Sequence, residues 1–402
     1  IEGNKGLHDG VDLEGSDSNA ALAKLIGAPV VLVVDAEGIT RGIAPLLMGY
    51  QVFDPALKIA GVIINKIAGP RHEGKLVAAV ERYCDIPVIG CLRRDDAIAV
   101  RERHLGLTTP AETGASEARI NRIAMAVRDG IDLDKVIAIA RTAPPMSVAA
   151  GCDANAGRHR TDARVTIAVA RDTAFGFYYP DDLSALEAAG ADLVFFDSMA
   201  APRLPNADAM LIGGGFPETQ IEALERNASL RADIKARIEE GMPAYAECGG
   251  LMYLCRSITF GAAHGQMVGV VPGDAVMCET PQGRGQVKLA ETDAARWPPV
   301  GSAGGAGWRV NAHEFHFAAV RNLESGLDYA FDVIRGDGID QRRDGVIVGN
   351  LLATFSHQRG TRRNPWPQRF VAFIRQCKAA LAPAHAGNDP RNAVNRARPV
   401  AP

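Results

Sequence analysis

The hydrophobic pattern divides the chain into two α/β stretches. Residues 25–36 read LIGAPVVLVVDA, apolar without alternation until Asp35. That is the pattern of a parallel strand buried on both faces. Residues 41–51 (RGIAPLLMGYQ) read as a helix, 59–67 (IAGVIINKI) as a second buried strand, 73–83 as a helix and 86–92 (IPVIGCL) as a third strand. The alternation predicts a doubly wound parallel sheet. Residues 117–142 read as one or two helices, and 142–163 are rich in Pro, Ala, Gly and charge with no apolar period. The expected division is a first domain over 1–130, a linker region over 131–163, a second domain over 164–382 and a disordered tail over 383–402.

The second α/β stretch opens with VTIAVAR (165–171), continues with strands at 191–197 and 207–215 and a helix over 217–240, and reaches a strand at 242–247. From about residue 263 the text is Gly-rich and β-like. VIVGNLLATFSH (346–357) reads as one strand and 365–381 as a closing helix.

Composition narrows the classes. With 402 residues there is room for two domains. A formal net charge of −3 argues against a general nucleic-acid binder, and no apolar run reaches membrane-spanning length. Seven scattered cysteines without a CxxC pair fit reduced cytoplasmic thiols rather than a disulfide framework or a zinc site. The chain opens Ile1-Glu2-Gly3 inside what reads as a strand, so an amino-terminal truncation is expected.

The segment AYAECGGLMYL (244–254) runs a strand into Cys248, two glycines and an apolar helix. This is the layout of a nucleophile elbow, with small neighbours for the tight turn and the thiol at a helix amino terminus. Upstream, LIGGGFPE (211–218) ends a strand in Gly213, Gly214 and Gly215. Their backbone N–H groups, with that of Gly249, are candidates to face an oxyanion. His357, polar after an apolar run, is the candidate base. On residue types alone, a packed core thiol beside a plain glycine loop explains the same text.

The motifs GGGFPE and YAECGGLMYL, with the flanking 170–196 and NAHEFHF (311–317), resemble the glutamine amidotransferase domain of the cobyrinate a,c-diamide synthases over about 165–380. The resemblance implies that Cys248 attacks the glutamine side-chain amide, forms a glutamyl thioester and releases ammonia, with His357 as activating base. Two departures stand out. The family's His-x-His-Phe is here His357-Gln358-Arg359-Gly360. Arg359 also stands where many amidotransferases carry a carboxylate, so a Cys–His dyad is expected.

EGNKGLHDG (2–10), residues 12–38, GVIINKIAGPRHE (61–73) and RHLGL (103–107) resemble the synthase domain of the same family, akin to the deviant P-loop ATPases that include dethiobiotin synthetase. The resemblance implies that ATP, with Mg²⁺, phosphorylates a substrate carboxylate and ammonia displaces the phosphate. It places a Mg²⁺-associated carboxylate at Glu2, an aspartate important for amidation at Asp9 and a nucleotide contact at Asn65. Asp35 faces the same crevice by the general rule for such sheets. Read without the resemblance, each of these four is better taken as a polar residue simply ending a strand.

The phosphate loop of that fold is expected before Glu2. GPRHEGKL (69–76) mimics its G-x4-G-K spacing, but Leu76 replaces the hydroxyl residue and the segment follows the wrong strand. In HEFHF, His313 and His316 stand i, i+3 rather than i, i+4, so no zinc is expected. Trp297, Trp308 and Trp366 read as core or surface aromatics. Arg41, Arg71, Arg101 and Arg103 are candidates for substrate carboxylates or solvated helix faces.

The expected activity is glutamine- and ATP-dependent amidation of a tetrapyrrole polycarboxylate, giving the a,c-diamide of cobyrinate or hydrogenobyrinate. The alternatives are amidation of sirohaem, a free-standing glutaminase, and a non-catalytic tetrapyrrole-binding partner. A homodimer is compatible with each.

Overall fold

The computed structural model describes residues 1–3, 6–10, 12–99, 116–146 and 164–381. The chain forms two compact units, Ile1–Asp153 and Ala154–Pro402.

In the first unit three parallel strands, Val30–Asp35, Ile59–Ile67 and Val88–Arg93, form a sheet in that order. Helices Ile43–Phe53 and Pro70–Tyr83 connect them, and Leu47, Ile64, Leu76 and Val80 pack into the core. The first strand departs from the expected two-sided burial. It is the sheet edge among the described residues, and Val33 is 63% exposed. The G-x4-G-K look-alike lies almost wholly inside the helix Pro70–Tyr83 and offers no loop for a phosphate. Residues 131–142, within the expected linker region, belong to the first unit. Asp132 caps the helix Leu133–Ala140 by accepting the Lys135 N–H, and Ile131 bridges to Gly90 of the third strand. RHLGL, Arg101 and Arg103 lie outside the described residues.

The second unit is built on a ten-stranded mixed sheet. From one edge the order is His357–Gln358, Arg309–His316, Gly283–Glu291, Asp328–Arg335, Arg343–Val348, Leu351–Thr354, Ala244–Glu247, Ala209–Ile212, Val165–Ala170 and Ala191–Phe196. The last five are mutually parallel. Alternation along Val165–Ala170 feeds two cores. Ile167 and Val169 join Trp297, Trp366 and Phe370, while Ala168 and Ala170 join Leu251, Leu254 and Ile234. Trp297 and Trp366 are therefore core residues, and Trp308 lies under the Arg369 guanidinium.

Two expected elements are broken in the structure. The helix expected over 217–240 becomes a 3₁₀ turn, Pro217–Thr219, and two helices, Ile221–Arg226 and Ala228–Glu239. The break falls at Asn227, whose side chain caps the second helix and also donates to Ser198 and Ala201 carbonyls. The run 346–357 is a hairpin of Arg343–Val348 with Leu351–Thr354, turned at Gly349 and Asn350. Gly349 has φ +57°, which suits glycine at a two-residue turn.

Candidate active site

Cys248 follows the strand Ala244–Glu247 and precedes the short helix Gly249–Leu254. Its φ of 50° and ψ of −101° put a non-glycine residue in a conformation that costs about 1–3 kcal/mol. The chain turns sharply here because Gly250 has no side chain: a Cβ would lie 2.4 Å from the Ile212 carbonyl oxygen. The Cys248 N–H donates to the Thr354 carbonyl at 2.7 Å, tying the elbow to the end of the neighbouring strand.

That neighbour delivers the base. Thr354 pairs with Glu247 in parallel register, and three residues on His357 pairs with His313. His357 hydrogen-bonds Cys248 and faces Glu247, with Nδ1 3.4 Å from Glu247 Oε2. Burial disfavours the charged imidazole, but the hydrogen bonds to Cys248 and Glu247, and the charges of both, outweigh it and raise the pKa to about 10. The expected dyad is therefore corrected: a carboxylate does stand against the imidazole, and it comes from the residue before the thiol. Glu247 is itself held, accepting from the Tyr245 hydroxyl and from the Gln358 N–H at 3.0 Å. Gln358 Nε2 donates back to the Tyr245 oxygen at 3.1 Å.

Arg359, at the position where a carboxylate is common, turns away from the imidazole. It pairs with Asp181 and Asp182 at 2.7 Å each and lies over the Tyr179 ring. His313 stacks on His357 with ring centroids 5.0 Å apart and planes 16° apart. Burial, then the charge on His357, lower the His313 pKa to about 4, so this ring is neutral at neutral pH. His316, on the opposite face of the strand, stacks on Phe355 and hydrogen-bonds the Ala318 carbonyl through Nδ1.

The glycine loop packs against both sides of this group. A Cβ on Gly214 would lie 2.7 Å from His357 Cε1, and one on Gly249 would lie 3.0 Å from the Gly215 nitrogen. Gly213 has a different part from the one expected. Its N–H donates to the Tyr178 hydroxyl at 3.0 Å, and that hydroxyl donates to the Ala170 carbonyl. The buried Asp172 carboxylate braces the facing loop, accepting from Ala174 and Phe175 N–H groups, and the Ala174 carbonyl accepts from Phe216.

In the first unit Asp35 and Asn65 are cross-strand partners at the carboxyl ends of adjacent strands. Lys66 Nζ lies 2.6 Å from Asp35 Oδ2 and, with the Glu37 N–H, holds the Asp35 carboxyl below the usual carboxylate range. Glu2 and Asp35 line one open cleft of about 820 Å³. Asp9 is exposed, its N–H donated to the Gly6 carbonyl, and is not among the residues lining that cleft. Arg41 lies over the Tyr83 ring instead of facing the cleft. No group of three or more His, Cys, Asp or Glu side chains suited to a metal occurs among the described residues. A hydrated magnesium needs only one or two carboxylates beside phosphate, so an exposed Glu2 on a wide cleft fits it.

Residues 166–365 match the CobB/CobQ-like glutamine amidotransferase domain, and residues 1–100 match an AAA domain. A cobyrinate a,c-diamide synthase of Magnetococcus marinus is 39% identical over 378 residues, covering 94% of this chain and 80% of that protein. One from Methanosarcina acetivorans is 36% identical, covering 95% and 80%, and one from Archaeoglobus fulgidus 37%, covering 92% and 79%. The motifs, the fold of the second unit and these likenesses agree, and the chain belongs to the cobyrinate a,c-diamide synthase family.

Proposed function

We propose that the protein hydrolyses glutamine at Cys248 and uses the ammonia, with ATP, to amidate acetate side chains of a tetrapyrrole, the a and c positions of cobyrinate or hydrogenobyrinate. The observation that carries this reading is the Cys248–His357–Glu247 group at a strained elbow. With the proton already on His357, whose raised pKa keeps the ring charged at neutral pH, the sulfur attacks the carbonyl carbon of the glutamine side-chain amide. The developing oxyanion is met by backbone N–H groups, for which Gly214, Gly215 and Gly249 are the candidates. His357 returns the proton to the leaving nitrogen, the C–N bond breaks and ammonia departs. Water then attacks the thioester, releasing glutamate and restoring the thiol. Glu247 accepts from Nδ1 and keeps the imidazole turned toward sulfur.

The synthase half of the reading assigns Asn65 and Asp35 to the nucleotide, Asp9 to the amidation site and Glu2 to magnesium. Magnesium, when bound, screens phosphate charge. The substrate carboxylate attacks the γ-phosphorus of ATP, ADP leaves, and ammonia displaces phosphate from the acyl phosphate to give the amide. The AAA match over residues 1–100 and the shared cleft of Glu2 and Asp35 support this half. The six cysteines in the described residues are all free, which supports a reducing, cytoplasmic setting.

Sirohaem is the second acceptor to consider, because Gln358-Arg359-Gly360 departs from the family text beside the site. A non-catalytic tetrapyrrole-binding role leaves the strain at Cys248 without a use. The test is product mass after incubation with glutamine, ATP, Mg²⁺ and each tetrapyrrole in turn. Two added amides on cobyrinate or hydrogenobyrinate are expected. Amidation of sirohaem alone would transfer the reading to that acceptor, and no amidation of any of them would overturn it.

A further inference from the structure

Asp344 touches neither the thiol nor the imidazole, yet it holds the backbone that carries both. It lies on the strand Arg343–Val348 and is fully buried. Its Oδ2 accepts from the Ser356 N–H at 2.9 Å and the Thr354 hydroxyl at 2.6 Å. Its Oδ1 accepts from the Phe355 N–H at 3.1 Å and the Gly345 N–H at 2.8 Å. None of these four donors carries a charge, so the carboxylate is solvated here by fixed dipoles rather than by a cation.

Three of the donors belong to consecutive residues, 354 to 356, which carry the chain from the end of a strand to His357. Thr354 also offers its carbonyl to the Cys248 N–H at 2.7 Å. One carboxylate thus fixes the residue that anchors the elbow and the two peptides that lead to the base. Asp172 does the equivalent on the glycine-loop side with four uncharged donors of its own.

We infer that Asp344 is a positioning residue of the site, setting the separation and orientation of Cys248 and His357 through the 354–356 turn. The inference rests on the reading of Cys248 as nucleophile. An amide at position 344 keeps the shape, but its nitrogen cannot accept from Ser356 or Thr354, so the turn must shift. A shift of a few tenths of an ångström weakens the thiol–imidazole hydrogen bond and with it the thiol's reactivity.

The test is the pH–rate profile of carboxamidomethylation at Cys248, followed by mass spectrometry of its peptide, in wild type, Asp344→Asn and Thr354→Val. At pH 7 wild type is expected to react faster at Cys248 than at its other thiols. Folded Asp344→Asn is expected to react about tenfold more slowly at pH 7, with its profile displaced from that of wild type. Thr354→Val, which deletes one of the four bonds, is expected to move the same way by less. A residue that only stabilised the fold would lower the melting temperature and leave the profile in place. A folded Asp344→Asn with the wild-type profile overturns the inference. If Asp344→Asn does not fold, a wild-type profile in Thr354→Val overturns it. A wild-type Cys248 that reacts no faster than the other thiols would instead overturn the nucleophile reading, and that is visible without any variant.

Discussion

Glu247 Oε2 lies 3.4 Å from His357 Nδ1, so the residue immediately before the candidate nucleophile orients the base that faces it. Parallel pairing of Thr354 with Glu247 puts the ends of two adjacent strands side by side and makes this contact. Glu247→Gln removes the charge and lets the side-chain amide present nitrogen to Nδ1. The glutaminase kcat is expected to fall about 10- to 100-fold with little change in the KM for glutamine. Steady-state kinetics on the purified variant checks this, and an unchanged kcat would show that the carboxylate does not act on the imidazole.

The charge state of His357 gives a second measurement. Its pKa, raised to about 10 from the ordinary 6.5, keeps the ring protonated across neutral pH. The hydrogen bond to Cys248 is one of the interactions that overcome burial. In Cys248→Ala the imidazole pKa is therefore expected to drop, observable by ¹⁵N NMR of histidine-labelled protein. The sign carries over to stability. A raised imidazole pKa contributes stability fully below about 6.5 that is lost as pH rises through about 10. The stability gap between wild type and Cys248→Ala is expected to narrow over that range.

Gly214→Ala tests the packing of the loop on the base. The added methyl would stand 2.7 Å from His357 Cε1, inside van der Waals contact, and must push the ring or the loop aside. Loss of at least about 90% of glutamine-dependent turnover is expected, with a destabilisation of about 1–3 kcal/mol in urea denaturation. Wild-type turnover in a folded Gly214→Ala would place the glycine loop away from the reacting atoms.

These contacts show where a linear reading of the chain reaches and where it stops. The elbow is legible because a strand, Cys248 and two glycines are contiguous. Residues Asp35 and Asn65 are legible as strand ends for the same local reason. Glu247 is not, since its partner lies 110 positions away and only strand order brings them together. A carboxylate is sought downstream of His357, where Arg359 stands, and the carboxylate in the structure lies upstream. Asp344 is hidden likewise, because its role depends on a hairpin that is lost when 346–357 is read as one strand, although Gly349-Asn350 interrupts the apolar run. Val33 reads as buried from sequence because apolar content alone does not tell a central strand from one at a sheet edge.

Glu291 and Arg369 form a buried ion pair that clamps the loop before Trp308 to the closing helix. Both side chains are at most 3% exposed. Arg369 also donates to the Trp297 and Pro298 carbonyls at 2.9 and 3.0 Å. Glu291→Ala leaves a guanidinium buried without its counter-charge, and a loss of about 3–5 kcal/mol is expected in chemical denaturation. A loss under about 1 kcal/mol, the range of exposed pairs, would mean that water reaches the guanidinium.

The most direct measurement is covalent labelling with 6-diazo-5-oxo-L-norleucine, an electrophilic analogue of glutamine, followed by peptide mapping. One adduct per chain is expected, on Cys248, formed at a rate that glutamine suppresses and that His357→Ala lowers sharply. Folded protein whose Cys248 stays unmodified, or whose other cysteines react equally, would contradict the assignment of this thiol as the group that attacks glutamine.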